Sequence, residues 1–254
     1  MSAPGDAGSV DSGRMLVQAC INGARELTQH PRLTADATLA AADAARAVAA
    51  GAREIHVHPK DAAGRDSVAP DHVAEWVSAL RAACPGIPIG VTTGAWTEPD
   101  VERRIAAIEA WTELPDYASV NWHEAGADEV AVALRRRGVG VEAGIWDGTG
   151  FEVWRDSAVR AECLRVLIEL PDEAADVVRT HAEGLIAHVR AEDAEVPILL
   201  HGEERSAWPA LVLAAELGLD TRIGLEDTLV LPDDRTAFDN AALVRAAMAL
   251  VAPA

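Results

Sequence analysis

The sequence contains few cysteines and few positive charges. Its three cysteines, Cys20, Cys84 and Cys163, are widely spaced and form no CxxC pair. An odd set of isolated thiols fits reduced, buried cysteines better than disulfides or a zinc ribbon, so we expect a cytoplasmic protein. The 22 basic residues face 41 acidic ones, which gives a formal net charge of −19. This charge would repel phosphate backbones and anionic membrane faces, and therefore argues against nucleic acid as a partner.

Three further patterns are missing along the chain. No apolar run approaches the roughly 18 to 20 residues that a membrane helix needs, so we expect no membrane-spanning segment. Residues 1–14 are small, polar and acidic, unlike a signal peptide, and we expect them to form a flexible lead-in. No GxGxxG motif follows the first predicted strand, which argues against a dinucleotide-binding fold.

What the sequence does contain is a regular alternation of short β-rich runs with segments of helical period rich in Ala, Leu and Arg. The predicted strands cover residues 15–22, 54–58, 87–93, 118–122, 139–145, 164–170, 197–201 and 221–225. The predicted helices lie near residues 34–51, 70–83, 98–112, 125–137, 151–161, 172–191, 206–218 and 236–251. Eight evenly spaced βα units predict an α/β protein of one domain, a (β/α)8 TIM barrel over residues 1–254. An open doubly wound sheet would alternate in the same way, but no pattern indicates the reversal of strand order that it requires.

Polar residues gather where the predicted strands end, which is where a barrel places its active site. The second strand reads EIHVHPKD, and its side chains alternate between the two faces of the sheet. His56 and His58 therefore point the same way. Two imidazoles at one rim suit zinc or a similar divalent ion, provided that a carboxylate joins them.

Glu226, at the end of the eighth strand, is the best candidate for that carboxylate. In a closed barrel the eighth strand lies beside the first, and the first lies beside the second, so Glu226 can reach His56 and His58. An HxH pair also occurs in ordinary strands, with the histidines bonded to the backbone, and Glu226 with Asp227 would also suit a solvated loop. The metal interpretation depends on the three residues meeting.

Other strand ends offer groups that could bind or transform a substrate. The TTG segment, Thr92, Thr93 and Gly94, can present hydroxyl and backbone donors to a carboxylate, although such residues are common in any βα loop. We also expect substrate contacts from Asn22 and Asn121, which end the first and fourth strands. Glu142 lies in a strand of small residues, where a buried acid must find a partner or take up a proton. This predicts either an acid or base in catalysis or a buried structural pair.

Taken in order along the chain, several segments resemble the β-keto acid cleavage enzymes, the family of 3-keto-5-aminohexanoate cleavage enzyme. The segments are INGAR, EIHVHPKDAAGRDS, VTTGAW, ASVNWHE, VGVEAGIWD and RIGLEDT. The resemblance extends over nearly the whole chain. It implies a TIM barrel in which His56, His58 and Glu226 hold Zn²⁺.

The resemblance also implies a reaction, in which a β-keto acid and acetyl-CoA give acetoacetate and a new acyl-CoA. Asp227 then matches a residue implicated in proton transfer, and Arg222 matches the arginine that orients it. Glu142 matches an acid on the fifth strand, and Thr92, Thr93 and Gly94 match a loop that binds the carboxylate. The expected partners are thus a small β-keto acid and acetyl-CoA, and we expect a homo-oligomer.

Two departures from the family pattern keep other functions open. The family has a glycine-rich turn after the sixth strand, where this chain has Pro171, Asp172 and Glu173, and the fourth strand ends in NWHE. An acidic loop at that place favours a metal-dependent lyase or hydrolase that acts on a small carboxylic acid without CoA. A non-catalytic protein that binds a small acid is a third possibility.

Overall fold

The chain folds as a closed barrel of eight parallel strands, which confirms the predicted (β/α)8 architecture. The computed structural model describes residues 15–251, so the predicted flexible lead-in, residues 1–14, lies outside the described residues. Strands pair in the order β1-β2-β3-β4-β5-β6-β7-β8, and β8 closes the ring against β1. None of the helices described within these bounds is long and apolar enough to cross a membrane.

Each strand is followed by a helix that packs on the outside of the ring. The strands are β1 (Val17–Cys20), β2 (Glu54–Val57), β3 (Ile89–Thr92), β4 (Tyr117–Asn121), β5 (Gly140–Ile145), β6 (Arg165–Leu170), β7 (Ile198–Gly202) and β8 (Asp220–Ile223). The helices are α1 (Ala37–Ala49), α2 (Pro70–Ala83), α3 (Val101–Glu109), α4 (Ala127–Arg136), α5 (Gly148–Asp156), α6 (Ala175–Glu192), α7 (Ala207–Leu217) and α8 (Asn240–Val251). Short 3₁₀ turns cover Leu27–Gln29, Arg160–Glu162 and Glu204–Ser206.

Several helices begin away from their predicted limits because side-chain caps or a local β-bridge set the boundaries. Helix α5 begins at Gly148, three residues before its predicted start, because the Asp147 carboxylate accepts a hydrogen bond from Gly150 N at 2.8 Å. Helix α1 begins after Asp36, which caps Thr38 N and Leu39 N. Helix α8 begins at Asn240, not near 236, because Thr236 forms an isolated β-bridge with Val230.

The outward faces of the strands form the hydrophobic core with the helices, and the inward faces carry a polar layer. On β2, Ile55 and Val57 are fully buried in the core. Inside the ring, Arg165 of β6 pairs with Glu142 at 2.7 Å and with Glu54, while Gln18 donates to the Tyr117 hydroxyl at 2.8 Å. This layer supports the rim on which the polar strand ends meet.

Candidate metal centre

The end of β2 supplies two imidazoles to the inside of the barrel, as its alternating pattern predicts. The ring centroids of His56 and His58 lie 5.3 Å apart with planes at 78°. Asn22 fixes the backbone at this point, since its Oδ1 accepts from His58 N at 2.9 Å and its Nδ2 donates to His58 O at 2.8 Å. The two rings therefore converge from a strand end whose backbone is held by two hydrogen bonds with Asn22, which follows the neighbouring strand β1.

Glu226 reaches both imidazoles from the loop after β8. Its Oε1 lies 3.8 Å from His56 Nε2 and 3.5 Å from His58 Nε2. One potential ligand atom from each of the three residues lies within 4.8 Å of the others. Gly23 makes room for this carboxylate, because a Cβ at Gly23 would lie 2.4 Å from Glu226 Cγ. The three residues that sequence reasoning chose from opposite ends of the chain thus share one site.

The donor set fits a divalent cation. Two imidazole nitrogens and a carboxylate oxygen form the combination found at zinc sites that keep a position open for substrate. Within residues 15–251, Glu226 Oε2 is buried and has no hydrogen-bond partner. An unpaired buried carboxylate oxygen is unfavourable unless a cation compensates it. His56, His58 and Glu226 could therefore hold a metal ion.

Each imidazole has a partner on the nitrogen that faces away from Glu226. Asp66 Oδ2 lies 2.7 Å from His58 Nδ1, and Ser119 Oγ lies 3.5 Å from His56 Nδ1. Such outer contacts are typical of metal-binding histidines, whose tautomer and orientation they fix. Sequence reasoning missed Asp66. It follows the HxH motif in the same loop, but only the bridge between Lys60 and Asp66 folds it back onto His58.

The two histidines have opposite electrostatic surroundings. Burial lowers the pKa of His56 to about 4, and the nearby Arg222 adds to that effect while Glu226 opposes it. Burial also disfavours the charged form of His58, but Glu226 and Asp66 outweigh it and raise the pKa of His58 to about 9. The carboxylates on both sides of His58 account for the difference.

Behind Glu226, Arg222 is the centre of a buried group of charges. Its guanidinium lies 2.9 Å from Glu226, 3.4 Å from Asp227 and 3.8 Å from Glu169. His201 lies between Asp227 and Glu169, at 3.0 and 3.2 Å. Burial and Arg222 act against the charged form of His201, yet the two carboxylates raise its pKa to about 9. Arg222 and His201 thus hold three carboxylates under the rim. Sequence reasoning missed Glu169 because, apart from Arg165, the other residues of its strand are apolar.

A cavity of about 390 Å³ opens above this centre, a volume suited to a small ligand. Its floor is formed by the three candidate metal ligands and Arg222. Burial and the neighbouring Glu169 raise the pKa of Glu203, which lies in the wall, above its ordinary value. The cavity is lined by Ala24, Arg25, Gln29, His56, His58, Thr92, Trp96, Ser119, Asn121, Trp146, Leu167, Glu169, Glu203, Glu204, Arg222 and Glu226.

Of the residues predicted to bind substrate, Thr92 and Asn121 line this cavity, whereas the other three are absent from its lining and make structural contacts. Asn22 holds the His58 backbone. The Thr93 hydroxyl donates to Ser119 O at 2.7 Å. Gly94 lies under Trp96, whose ring a Cβ at that position would approach to 2.2 Å. The TTG segment therefore offers one hydroxyl to a ligand and uses its other two residues to shape the wall.

Two of the predicted catalytic residues lie beneath the cavity. Asp227 is fully buried behind Arg222. Glu142 is also fully buried, accepting hydrogen bonds from Arg165 at 2.7 Å and Ser119 at 2.6 Å. Burial alone would raise the pKa of Glu142, but Arg165 and the Ser119 hydroxyl lower it to about 2. This geometry matches the buried structural pair, the second of the two roles considered for Glu142.

The parallel barrel carries two imidazoles and a carboxylate at its C-terminal rim. The fold and the site therefore define the class of this protein: a TIM barrel with a potential divalent-metal centre. The sequence profile of the family BKACE, beta-keto acid cleavage enzyme, matches residues 14–254. The chain belongs to this family, which confirms the resemblance noted from its motifs.

Solved structures share the fold at low sequence identity. ObcA, in a binary complex with oxaloacetate, superposes with a TM-score of 0.67 at 18% identity over 85% of this chain. A ternary complex of ObcA with a C4-CoA adduct and oxalate gives the same values. The chain spans 62% of the length of ObcA. Type I 3-dehydroquinate dehydratase from Clostridium difficile matches with a TM-score of 0.63 at 15% identity, over 89% of each chain. At these identities the likeness concerns the fold.

Proposed function

We propose that this protein is a zinc-dependent enzyme that cleaves a β-keto acid with acetyl-CoA as co-substrate, giving acetoacetate and a new acyl-CoA. The observation that carries the proposal is the meeting of His56, His58 and Glu226 on the floor of the cavity, in a chain of the β-keto acid cleavage family. Bound there, a zinc ion would supply Lewis-acid stabilisation of the negative charge that develops on the keto acid.

The chain's own residues would bind and orient the substrate. Thr92 and Asn121 present a hydroxyl and an amide to the cavity and are suited to a carboxylate or carbonyl oxygen. Arg222 contributes a positive charge to the floor, which offsets the acidic surroundings for an anionic substrate. Trp96 and Trp146 provide the apolar part of the cavity wall.

We assign Asp227 the role of proton acceptor. Its Oδ1 contacts His201 and Arg222, whereas its Oδ2 has no hydrogen-bond partner among residues 15–251. Oδ2 is therefore the atom that would accept the proton from the carbon between the keto and carboxylate groups of the substrate, leaving the electron pair of that C–H bond as an enolate. Because Asp227 lies under Arg222, a shift of the Arg222 side chain on substrate binding would have to open this path.

The same site would also suit an enzyme that does not use CoA. A complex of ObcA with a C4-CoA adduct supports CoA as a partner for this fold. Against it, the loop after β6 carries Asp172, whose carboxylate pairs with Arg205 at 2.8 Å, so this rim arginine already has an acidic partner. A metal-dependent lyase or hydrolase without CoA is therefore the second candidate function.

Metal analysis of purified variants tests the centre. We expect the wild-type protein to bind one zinc ion per chain and His58→Ala and Glu226→Ala to lose it. His188→Ala is a control, because this histidine stacks on Phe151 at 5.2 Å in the helical layer. Retention of stoichiometric zinc by both site variants would overturn the assignment.

Turnover tests the reaction and separates the two candidate functions. Zinc-loaded protein is incubated with a panel of β-keto acids, with and without acetyl-CoA, and acetoacetate and acyl-CoA products are measured. Acetyl-CoA-dependent formation of acetoacetate supports the proposal. Consumption of a keto acid without acetyl-CoA supports the lyase or hydrolase, and zinc binding without any turnover supports a small-acid-binding protein.

A further inference from the structure

A buried ion pair lies directly outside the candidate metal centre. Lys60 and Asp66 form a salt bridge with side chains that are 1% and 5% exposed. The same two residues form an antiparallel bridge that closes the loop after β2. The pair therefore lies at the base of the loop that begins with His58, where the two ends of the loop meet.

Asp66 uses both carboxylate oxygens to hold the site together. Its Oδ2 accepts from Trp96 Nε1 at 2.9 Å and lies 2.7 Å from His58 Nδ1, while its Oδ1 accepts from Lys60. A carboxylate on Nδ1 fixes the imidazole with Nε2 directed toward Glu226. Trp96 stacks on His58 with centroids 6.0 Å apart, so the ring is held both at its edge and on its face.

Lys60 extends the same contacts to the third ligand. Its Nζ donates to Gly23 O at 2.8 Å, and Gly23 is the residue whose Cα packs against the Glu226 side chain. One ion pair thus joins the loop that carries His58 to the turn that places Glu226. The distance between imidazole and carboxylate depends on both contacts.

A second pair in the same loop provides a contrast. Asp61 and Arg65 form a salt bridge at 2.7 Å, but the Arg65 side chain is 81% exposed. An exposed pair costs little to form, whereas burying a lysine and an aspartate requires that desolvation be offset by good geometry. Folding of the loop alone would not require the buried pair, since Asp61 already accepts hydrogen bonds from Ala63 N and Arg65 N.

We propose that Asp66 is the positioning residue of the metal centre, held in place by Lys60, and that the pair sets the affinity of His56, His58 and Glu226 for a divalent cation. This inference rests on the metal centre of the proposed function. It adds a residue that does not touch the metal but controls one of its ligands through His58.

The test measures metal affinity in the full chain. Zn²⁺ dissociation constants are obtained by competition with a chromophoric chelator, and Co²⁺ absorption spectra report ligand geometry. We expect Asp66→Ala to weaken Zn²⁺ binding about 10- to 100-fold and to change the Co²⁺ spectrum. Asp66→Asn should be weakened less, because its amide oxygen can still accept from His58 Nδ1. The matched control, Asp61→Asn, removes one carboxylate from the same loop and should stay within about threefold of wild type.

The outcomes separate this inference from the proposed function. If the wild-type protein binds neither ion, the metal centre itself is wrong. If it binds them and the folded Asp66 variants bind with unchanged affinity and spectra, only the role of Asp66 is overturned. If Asp66→Ala does not fold, the Zn²⁺ affinities of Asp66→Asn and Lys60→Met provide the test. The proposal is rejected if both variants bind Zn²⁺ as tightly as the control Asp61→Asn.

Discussion

Arg222 Nη2 donates a hydrogen bond to Glu226 Oε1 at 2.9 Å, and this is the same oxygen that faces His56 and His58. The guanidinium therefore anchors the carboxylate from behind and leaves Oε2 without a partner among the described residues. A single arginine thus fixes the candidate metal ligand and neutralises part of the charge around it.

Replacing Arg222 with methionine should strongly destabilise the protein. The change leaves Glu169, Glu226 and Asp227 buried without their shared cation, and breaking a buried pair in this way costs about 3 to 5 kcal/mol. The free energy of unfolding in urea measures the loss. Arg179→Met is the control, because Arg179 pairs with Glu183 and Glu216 on the exposed surface and should matter little. Equal stability of the two variants would contradict the prediction.

Gly23→Ala should weaken metal binding through a steric effect on Glu226. Gly23 has φ +55°, and its new Cβ would lie 2.4 Å from Glu226 Cγ, so the carboxylate must move away from the imidazoles. We expect at least a tenfold rise in the Zn²⁺ dissociation constant, measured by chelator competition.

Gly86→Ala separates this displacement from backbone strain. Gly86 has φ +79° and nothing within 4 Å of an added Cβ, so alanine there carries a similar strain of about 1 to 2 kcal/mol without a clash. Its metal affinity should equal that of the wild type. If both glycine variants lose affinity to the same extent, the close approach of Gly23 to Glu226 is not the cause.

Glu142 should make stability depend on pH in the acid range. Its folded pKa is about 2 against an ordinary value of 4.5, so the ionised form stabilises the fold above pH 4.5 and this contribution is lost as the pH falls toward 2. The contribution is on the order of 3 kcal/mol. Urea unfolding from pH 6 to pH 3 should show a steeper fall for the wild type than for Glu142→Gln. Parallel curves would exclude this ionised pair.

Asp227→Asn should separate metal binding from turnover. The side chain is fully buried behind Arg222 and is not among the three candidate ligands, so zinc content should be unchanged. If Asp227 accepts a proton in the reaction, kcat should fall about 10²- to 10⁴-fold. Thr93→Ser is a control, because its hydroxyl can still donate to Ser119 O. An unchanged kcat for Asp227→Asn would remove its proposed role.

Local patterns predicted the parts of the site that lie on one strand. The alternation of side chains in EIHVHP placed His56 and His58 on the inward face, and the structure confirms this with Ile55 and Val57 in the core. The barrel itself followed from the count of βα units. Helix starts were less predictable. A capping residue such as Asp147 stabilises the first turn through a single hydrogen bond and does not alter the spacing of apolar residues from which helices are predicted.

Contacts between loops could not be obtained in the same way. Asp66 meets His58 through an eight-residue return of the chain, and Glu169 meets His201 across neighbouring strands. Thr93 and Gly94 fit a substrate-binding pattern as well as Thr92 does, yet they bond to Ser119 and pack under Trp96. Residue type gives the chemistry that a side chain can perform, but not the neighbour that it meets.

The sequence by itself determined the order of strands and helices, the inward direction of the two imidazoles and the family, because each depends on short-range periodicity or on ordered motifs. Tertiary structure alone decided which oxygen of Glu226 faces the imidazoles, that Glu142 is neutralised by Arg165, and that Asp66 lies behind His58. These facts depend on closure of the ring and on the return of loops onto it, which bring together groups far apart along the chain.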